Sequence, residues 1–299
     1  MNETSAGLTK KFDRSVSLLA WAYNEEELID GFLDRAFELL DAVATDYEVV
    51  LVDDASTDRT PELLASYAAR EPRLRVIRHA RNLNVGYACR TAITHAQKEF
   101  LFWQTVDWSY DLKNLRIFLE LLGHFDVVQG VRPVPIRLLS YIPVLRSIYR
   151  VRTRSDNFAK AVVSLSNYYI LRILFGLKFH DFQNVTLYPT ALLRKFELRG
   201  YSSFINPECL IRVATTGATF VEVPIRFIPR QAGLAKGTKL SAIRRSLSDI
   251  ATNWLIWGWR LRLDILRRGT PSRIYRVADP FFIPKDALQL VIPLFEEFR

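Results

Sequence analysis

Cysteine is scarce: Cys89 and Cys209 are the two in 299 residues, and they stand far apart with no metal-type spacing. A disulfide scaffold and a cysteine-based metal site are therefore not expected, and a reduced cytoplasmic setting with both thiols in the core is. Long apolar runs are missing too. With no stretch of about 18 uncharged apolar residues, no segment is expected to span a bilayer. The opening MNETSAGLTKKFDR is polar and lacks an apolar centre, which argues against a secretory signal. Internal repeats, low-complexity segments and an evident catalytic histidine are also absent.

What is present is the composition of a folded protein, 49% hydrophobic and 12% aromatic, long enough for one or two domains. The formal charge of +9 is unevenly placed. The first 130 residues are nearly balanced. Between Val131 and Lys178 lie Arg132, Arg137, Arg146, Arg150, Arg152, Arg154, Lys160, Arg172 and Lys178 against Asp156 alone. A second basic cluster runs from Lys236 to Arg268. Such clusters attract nucleic acid, anionic lipid or phosphorylated substrates. Their basic residues are interleaved with large aliphatics and no recognition module accompanies them, so nucleic acid is not an expected partner.

The first half alternates apolar runs with helical periodicity: SVSLLAWA, then NEEELIDGFLDRAFELLDAV; YEVVLVDD, then STDRTPELLASYAAR; LRVIRH, then VGYACRTAITHAQ; EFLFWQTV, then LKNLRIFLELLGH; and FDVVQG. Strands separated by helices predict an α/β protein whose mainly parallel sheet is covered on both faces. Ligands in such sheets bind at the carboxyl ends of the strands. Asp53 and Asp54 end one strand and Asp107 ends another, so the acids fall where chemistry is expected. The later part carries the amphipathic segments IRLLSYIPVLRSIYRV and FAKAVVSLSNYYILRILFGL, returns to strand and helix, and ends in the long helical stretch LSAIRRSLSDIATNWLIWGWRLRLDILRR. The apolar tail from Val277 is expected to pack back on the protein. The expected layout is a polar tail over 1–14, a main domain over 15–235 with a basic amphipathic segment at 131–178, and a C-terminal helix and tail over 236–299.

Four stretches carry chemistry. WAYNEEELI puts a tyrosine, an amide and acids at a strand-to-helix turn. VLVDDASTDRT places two carboxylates before hydroxyls at a helix start; a carboxylate there can accept from a base imide or a ribose hydroxyl, while Ser56, Thr57 and Asp58 can equally cap the helix. In FWQTVDWSYDL, Asp107 stands without a second acid two residues earlier, where Thr105 sits. Asp111, Gln104 and Ser109 supply further oxygens. VEVPIRFIPRQAGLAKG offers Arg230, Gly233 and Lys236 in a loop suited to an anionic leaving group.

In this order and spacing the pieces resemble family 2 glycosyltransferases of the GT-A fold, in particular the branch of dolichol-phosphate mannose synthase and polyprenyl-phosphate glycosyltransferases. The resemblance runs through Tyr23-Asn24-Glu25-Glu26, Asp53-Asp54-Ala55-Ser56-Thr57-Asp58-Arg59-Thr60, Asn84-Val85-Gly86, Thr105-Val106-Asp107, Gly130-Val131-Arg132 and Arg230 to Lys236, covering about residues 15–265. It implies a GT-A domain, a UDP- or GDP-sugar donor, a Mg²⁺ or Mn²⁺ ion and inversion at the sugar carbon. Tyr23, Glu25 and Asp54 or Asp53 would hold base and ribose, with Gly86 at the helix start beside them. Asp107 would hold the metal, Arg132 would face the acceptor phosphate, and Arg230 with Lys236 the donor diphosphate. Asp181 is a further site residue, with His180 and Glu208 behind it. The acceptor implied is a polyprenyl phosphate met at the cytoplasmic face of a membrane, against which the basic amphipathic segments and Trp254, Trp257 and Trp259 would lie. Thr105 departs from the family's two-acid metal pattern. It leaves open a soluble acceptor or a non-catalytic homologue that only binds a nucleotide or partner.

Overall fold

The computed structural model describes residues 11–132, 158–225, 228, 240–277, 287, 288 and 290. Eight strands form one sheet in the order β3-β2-β1-β4-β6-β5-β7-β8. They are β1 (Phe12–Ala22), β2 (Ala44–Asp53), β3 (Leu74–Arg78), β4 (Phe100–Trp103), β5 (Val127–Val131), β6 (Thr186–Pro189), β7 (Thr219–Pro224) and β8 (Arg273–Arg276). Every pairing is parallel except those of β6, which runs antiparallel between β4 and β5. The mainly parallel sheet is what the alternating pattern predicts, and its order with a single reversed strand fits the GT-A architecture that the resemblance implies. β8 was not legible in advance: RIYR is four residues long, charged at both ends and hidden behind a helical stretch.

The helices are α1 (Ile29–Val43), α2 (Thr60–Arg70), α3 (Val85–His95), α4 (Leu115–Leu121), α5 (Phe158–Phe175), α6 (Ile205–Val213), α7 (Leu240–Asn253) and α8 (Trp259–Arg268). Between α7 and α8 lies a π-helical turn, Trp254–Gly258, so the two helices form one rod with an irregular joint. At that joint a side chain on Gly258 would run into the Phe175 ring.

The central strands are apolar at consecutive positions because both faces are covered. Leu18, Ala20, Val49 and Leu51 join the core under α1, α2 and α4. Leu19, Val50 and Val52 join the opposite core, with Ala88 of α3, Leu171 of α5 and Leu210 of α6. Ala287 is buried in the first of these cores, with Leu288 and Leu290 packed against it, so these three residues of the apolar tail pack back on the protein. At the amino edge, buried Glu48 accepts from Ser17 Oγ at 2.7 Å and from Gln97 N–H at 2.5 Å, tying β1 and β2 to the turn that precedes β4. The parallel strands β1, β2, β4 and β5 then deliver their carboxyl ends to the opposite edge, where Tyr23, Asp54, Gln104-Thr105 and Arg132 follow.

Leu19 is completely buried at the centre of this sheet. Leu19→Ala is expected to destabilise the protein by about 2–5 kcal/mol, read as a lower urea midpoint with an unchanged slope.

Candidate active site

The loop after β1 and the loop after β2 are knitted together. Asn24 N–H donates to Ser56 Oγ (3.0 Å), Glu25 N–H to Thr60 Oγ1 (3.0 Å) and Glu26 N–H to Asp58 Oδ2 (3.2 Å). In return, Thr57 N–H donates to Asn24 Oδ1 at 2.8 Å and Arg59 N–H to Glu26 Oε2 at 3.0 Å. Asn24 and Ala55 take positive φ, 51° and 62°, which turns each chain sharply at its strand end. The hydroxyls of the second motif thus do not cap α2, whose N-cap carries no side-chain hydrogen bond; they hold the Tyr-Asn-Glu-Glu turn in place. Burial raises the Asp58 carboxyl, but the bonds from Thr60 and Glu26 outweigh it and hold it below the usual carboxylate range.

Asp53 and Asp54 separate into different roles. Asp53 is buried, accepts from Ser56 N–H at 2.9 Å and faces Arg78 Nε at 3.2 Å. Asp54 accepts from Leu83 N–H, Asn84 N–H and the His79 ring (2.8, 2.8 and 2.7 Å). The other His79 nitrogen meets Thr91 Oγ1 at 2.9 Å. Asp54 therefore shapes the Asn82–Asn84 turn that opens α3. His79 escaped the sequence reading; its one signal was its place at the end of LRVIRH, beside the Asp-Asp strand.

After β4 the chain makes a tight turn. Trp108 has φ 54°, its N–H donates to the Thr105 carbonyl at 2.8 Å, and Ser109 N–H donates to Thr105 Oγ1 at 3.0 Å. Ser109 Oγ donates to Asp107 Oδ1 at 2.6 Å. Among the described residues no group of three or more His, Cys, Asp or Glu side chains is placed to enclose a metal. Mg²⁺ is commonly bound through one or two carboxylates together with substrate phosphates. Asp107 alone fits that mode: an ion arriving with a diphosphate rather than one caged by the protein.

These three loops open on one cleft of about 450 Å³, lined among others by Trp21, Tyr23, Glu25, Asp54, Thr105 and Asp107. Its far wall is Tyr201–Ser203, and α7 adds Ala242 and Arg245. Buried carboxylates fix that wall. Glu208 Oε2 accepts from Arg199 and Gly200 N–H (2.9 and 2.6 Å), and Asp249 Oδ2 accepts from Tyr201 N–H, Ser202 N–H and Ser202 Oγ (2.9, 2.9 and 2.7 Å). Burial pushes the Glu208 carboxyl up, against those backbone bonds. Gly86 is not in the lining: it lies where α3 touches this wall, and a Cβ there would collide with the Gly200 carbonyl and the Tyr201 backbone. Neither the wall nor Arg245 was legible, because each reaches the cleft from more than ninety residues away in sequence.

Arg132 and Asp181 meet each other at the end of β5, outside this lining. The guanidinium grips the carboxylate with Nε at 2.7 Å and Nη2 at 2.8 Å, and Asp181 also accepts from Phe182 and Gln183 N–H. Asp181 is 1% exposed, whereas the Arg132 side chain is 14% exposed. Burial pushes the Tyr110 phenol up to about 12, and Arg132, Asp181 and Asp107 all act on it electrostatically, so the ion pair neighbours the Asp107 turn. His180 turns away to buried Glu222, its Nδ1 at 2.6 Å, where Arg276 joins them. Arg230 and Lys236 lie outside the described residues.

The family model for glycosyl transferase family 2 matches residues 17–172, more than half of the chain. The chain belongs to glycosyl transferase family 2. Its relatives include the undecaprenyl-phosphate mannosyltransferase of Micrococcus luteus, 28% identical over 254 residues, covering 82% of this chain and 94% of that one. Glycosyltransferase AglD of Haloferax volcanii is 26% identical over 266 residues, covering 85% of this chain and 39% of AglD. The chain spans between 27% and 39% of the length of three of the curated relatives it matches. Among solved structures, glucosyl-3-phosphoglycerate synthase from Mycobacterium tuberculosis, in complex with Mn²⁺, UDP and glucosyl-3-phosphoglycerate, shares the fold. Its TM-score is 0.55 at 15% identity, over 83% of this chain and 81% of that one.

Gly86→Ala is expected to cost roughly 1–3 kcal/mol through overpacking against backbone that cannot yield. Thermal melts with and without UDP or GDP test this: the variant should melt lower and gain less from nucleotide than the wild type.

Proposed function

We propose that this family 2 glycosyltransferase transfers a sugar from a UDP- or GDP-sugar to a polyprenyl phosphate at a membrane surface, with inversion. The carrying observation is the cleft at the carboxyl edge of the sheet, into which β1, β2 and β4 deliver Tyr23 with Glu25, Asp54, and Asp107. The M. luteus relative, named for undecaprenyl phosphate and matched along nearly its whole length, supports the acceptor class.

Tyr23 and Glu25 take the base and ribose. A carboxylate has about four acceptor positions; with three of them engaged, Asp54 offers the nucleoside one and the shape of the Asn82–Asn84 turn. Asp107 is the side chain that would hold Mg²⁺ or Mn²⁺. When bound, such an ion neutralises charge on the diphosphate. An acceptor phosphate oxygen attacks the anomeric carbon from the side opposite the diphosphate; the carbon–oxygen bond to the diphosphate breaks with its electron pair, and the nucleoside diphosphate leaves. Because that acceptor is already an anion, it needs positioning and charge neutralisation rather than a general base. A cleft whose described lining contains no histidine suits this chemistry. Arg132, held by Asp181, faces the acceptor phosphate.

The membrane role rests on a surface. Tyr169 and Ile173 on α5 are 51% and 66% exposed, and Leu255, Trp259 and Leu266 on the rod of α7 and α8 are 72%, 41% and 64% exposed. Arg260, Arg267 and Arg268 are interleaved with them, a pattern suited to lying on an anionic bilayer. Among the described residues no helix is long and apolar enough to cross a membrane. A second reading rests on Thr105: with one acid in the metal turn, the domain binds nucleotide-sugar without turning it over.

Labelled-sugar transfer from UDP- and GDP-sugars to a short polyprenyl phosphate, and to soluble phosphorylated acceptors, tests the proposal. The expected result is lipid-linked product that requires added Mg²⁺ or Mn²⁺, is abolished by EDTA and falls about 10²-fold in Asp107→Asn. Product on a soluble acceptor alone refutes the lipid assignment, and nucleotide binding without any product favours the second reading.

A further inference from the structure

Arg245 comes from α7, beyond the part of the chain that the family model matches, yet it lines the same cleft as Glu25, Asp54 and Asp107. Among the described lining residues it is the one cation, facing three carboxylates. A diphosphate entering that cleft meets net negative charge unless a cation compensates. In a two-acid metal turn, the ion supplies much of that compensation. Here Thr105 replaces one of the acids, so the cleft both repels an anion less and grips a cation less.

Arg245 is also held in position. One helical turn further along α7, the fully buried Asp249 clamps Tyr201 and Ser202, so the helix is fixed to the cleft wall. Arg245 Nη1 donates to Asn84 Oδ1 at 3.1 Å, drawing the guanidinium to the turn that Asp54 shapes. A guanidinium carries five N–H donors in a planar fork that matches phosphate. The bond to Asn84 takes one of the five.

We propose that Arg245 is a diphosphate-binding residue of the donor site, sharing with Asp107 the task that a fully carboxylate-held ion performs elsewhere. This rests on the nucleotide-sugar reading above. Its bland rival is a rim arginine that only tethers Asn84. As the bond to the sugar breaks, charge accumulates on the β-phosphate, so an arginine held there acts on kcat as well as on donor KM.

Calorimetric titration of uridine, UMP and UDP, and of the guanosine series, into wild type, Arg245→Ala and Arg245→Lys separates the two roles. In wild type the diphosphate binds more tightly than the nucleoside. In Arg245→Ala that preference is expected to fall at least tenfold with nucleoside affinity unchanged, and to fall further in EDTA than in Mg²⁺. Arg245→Lys should recover part of it. An unchanged diphosphate preference in Arg245→Ala overturns the assignment and leaves the donor reading intact, whereas wild type that binds neither series overturns both. Should Arg245→Ala lose the nucleoside as well, Arg245→Gln, which keeps a side-chain amide near Asn84, decides by the same ratio.

Discussion

The carboxyl edge of this sheet depends on carboxylates withdrawn from water and surrounded by backbone N–H groups. A buried charge is costly unless it is fully hydrogen-bonded. Asp54, Asp181 and Asp249 each meet that condition by gathering two or more N–H donors, backbone ones in each case, from a single loop, whereas Glu208 gathers two through Oε2 and leaves Oε1 with Arg212 Nε at 3.7 Å. The loops have no regular structure of their own, so these contacts decide their shape. The same carboxylates bring distant chain together: Asp54 sets the entry of α3, Asp249 pins the 201–202 wall to α7, and Glu208 secures the stretch that presses on Gly86. The corners of the cleft are thus held by buried carboxylates, and its floor is a sheet buried on both faces.

Much of the frame was legible because it depends on short-range rules. Apolar runs of strand length alternating with helical periodicity predict a parallel sheet, and acids just beyond a run mark its carboxyl end. Tyr23, Glu25, Asp54 and Asp107 do converge on one cleft. Asp53 and Gly86 stand just behind it, the first buried against Arg78 and the second packed against Gly200 and Tyr201. What sequence order could not reveal is pairing across long separations. Arg132 and Asp181 were legible as single charged residues but not as partners, since nothing local to either reports the other. Arg245, the 201–203 wall and β8 are hidden for the same reason. His79 was hidden differently: a lone histidine at a strand end carries no pattern until Asp54 is seen beside it.

The two arginines show how one side chain serves different purposes. Arg132 is nearly enclosed, and its two-pronged pairing with Asp181 fixes where the guanidinium sits. Arg245 is exposed at the cleft rim and bonded to a neutral amide, so its charge is not cancelled there. The Thr105 turn, meanwhile, keeps its shape without a second acid, because Thr105 Oγ1 and the Gln104 side chain satisfy its backbone. The scaffold of the turn and its capacity to hold cations are separable properties.

The π-helical turn at Trp254–Gly258 has a consequence for how this region can vary by descent. A π turn accommodates one residue more than a regular turn. That extra residue is absorbed within the turn, which takes one residue more to complete about the same rotation. Losing one residue from it would let the rod close into continuous α-helix with Trp259, Leu263 and Leu266 still facing much as they do now, relative to Ala242, Arg245 and Asp249. Gly258, pressed against the Phe175 ring, belongs to the bulge itself. In this segment the facing of the two helices is better protected than the number of residues between them.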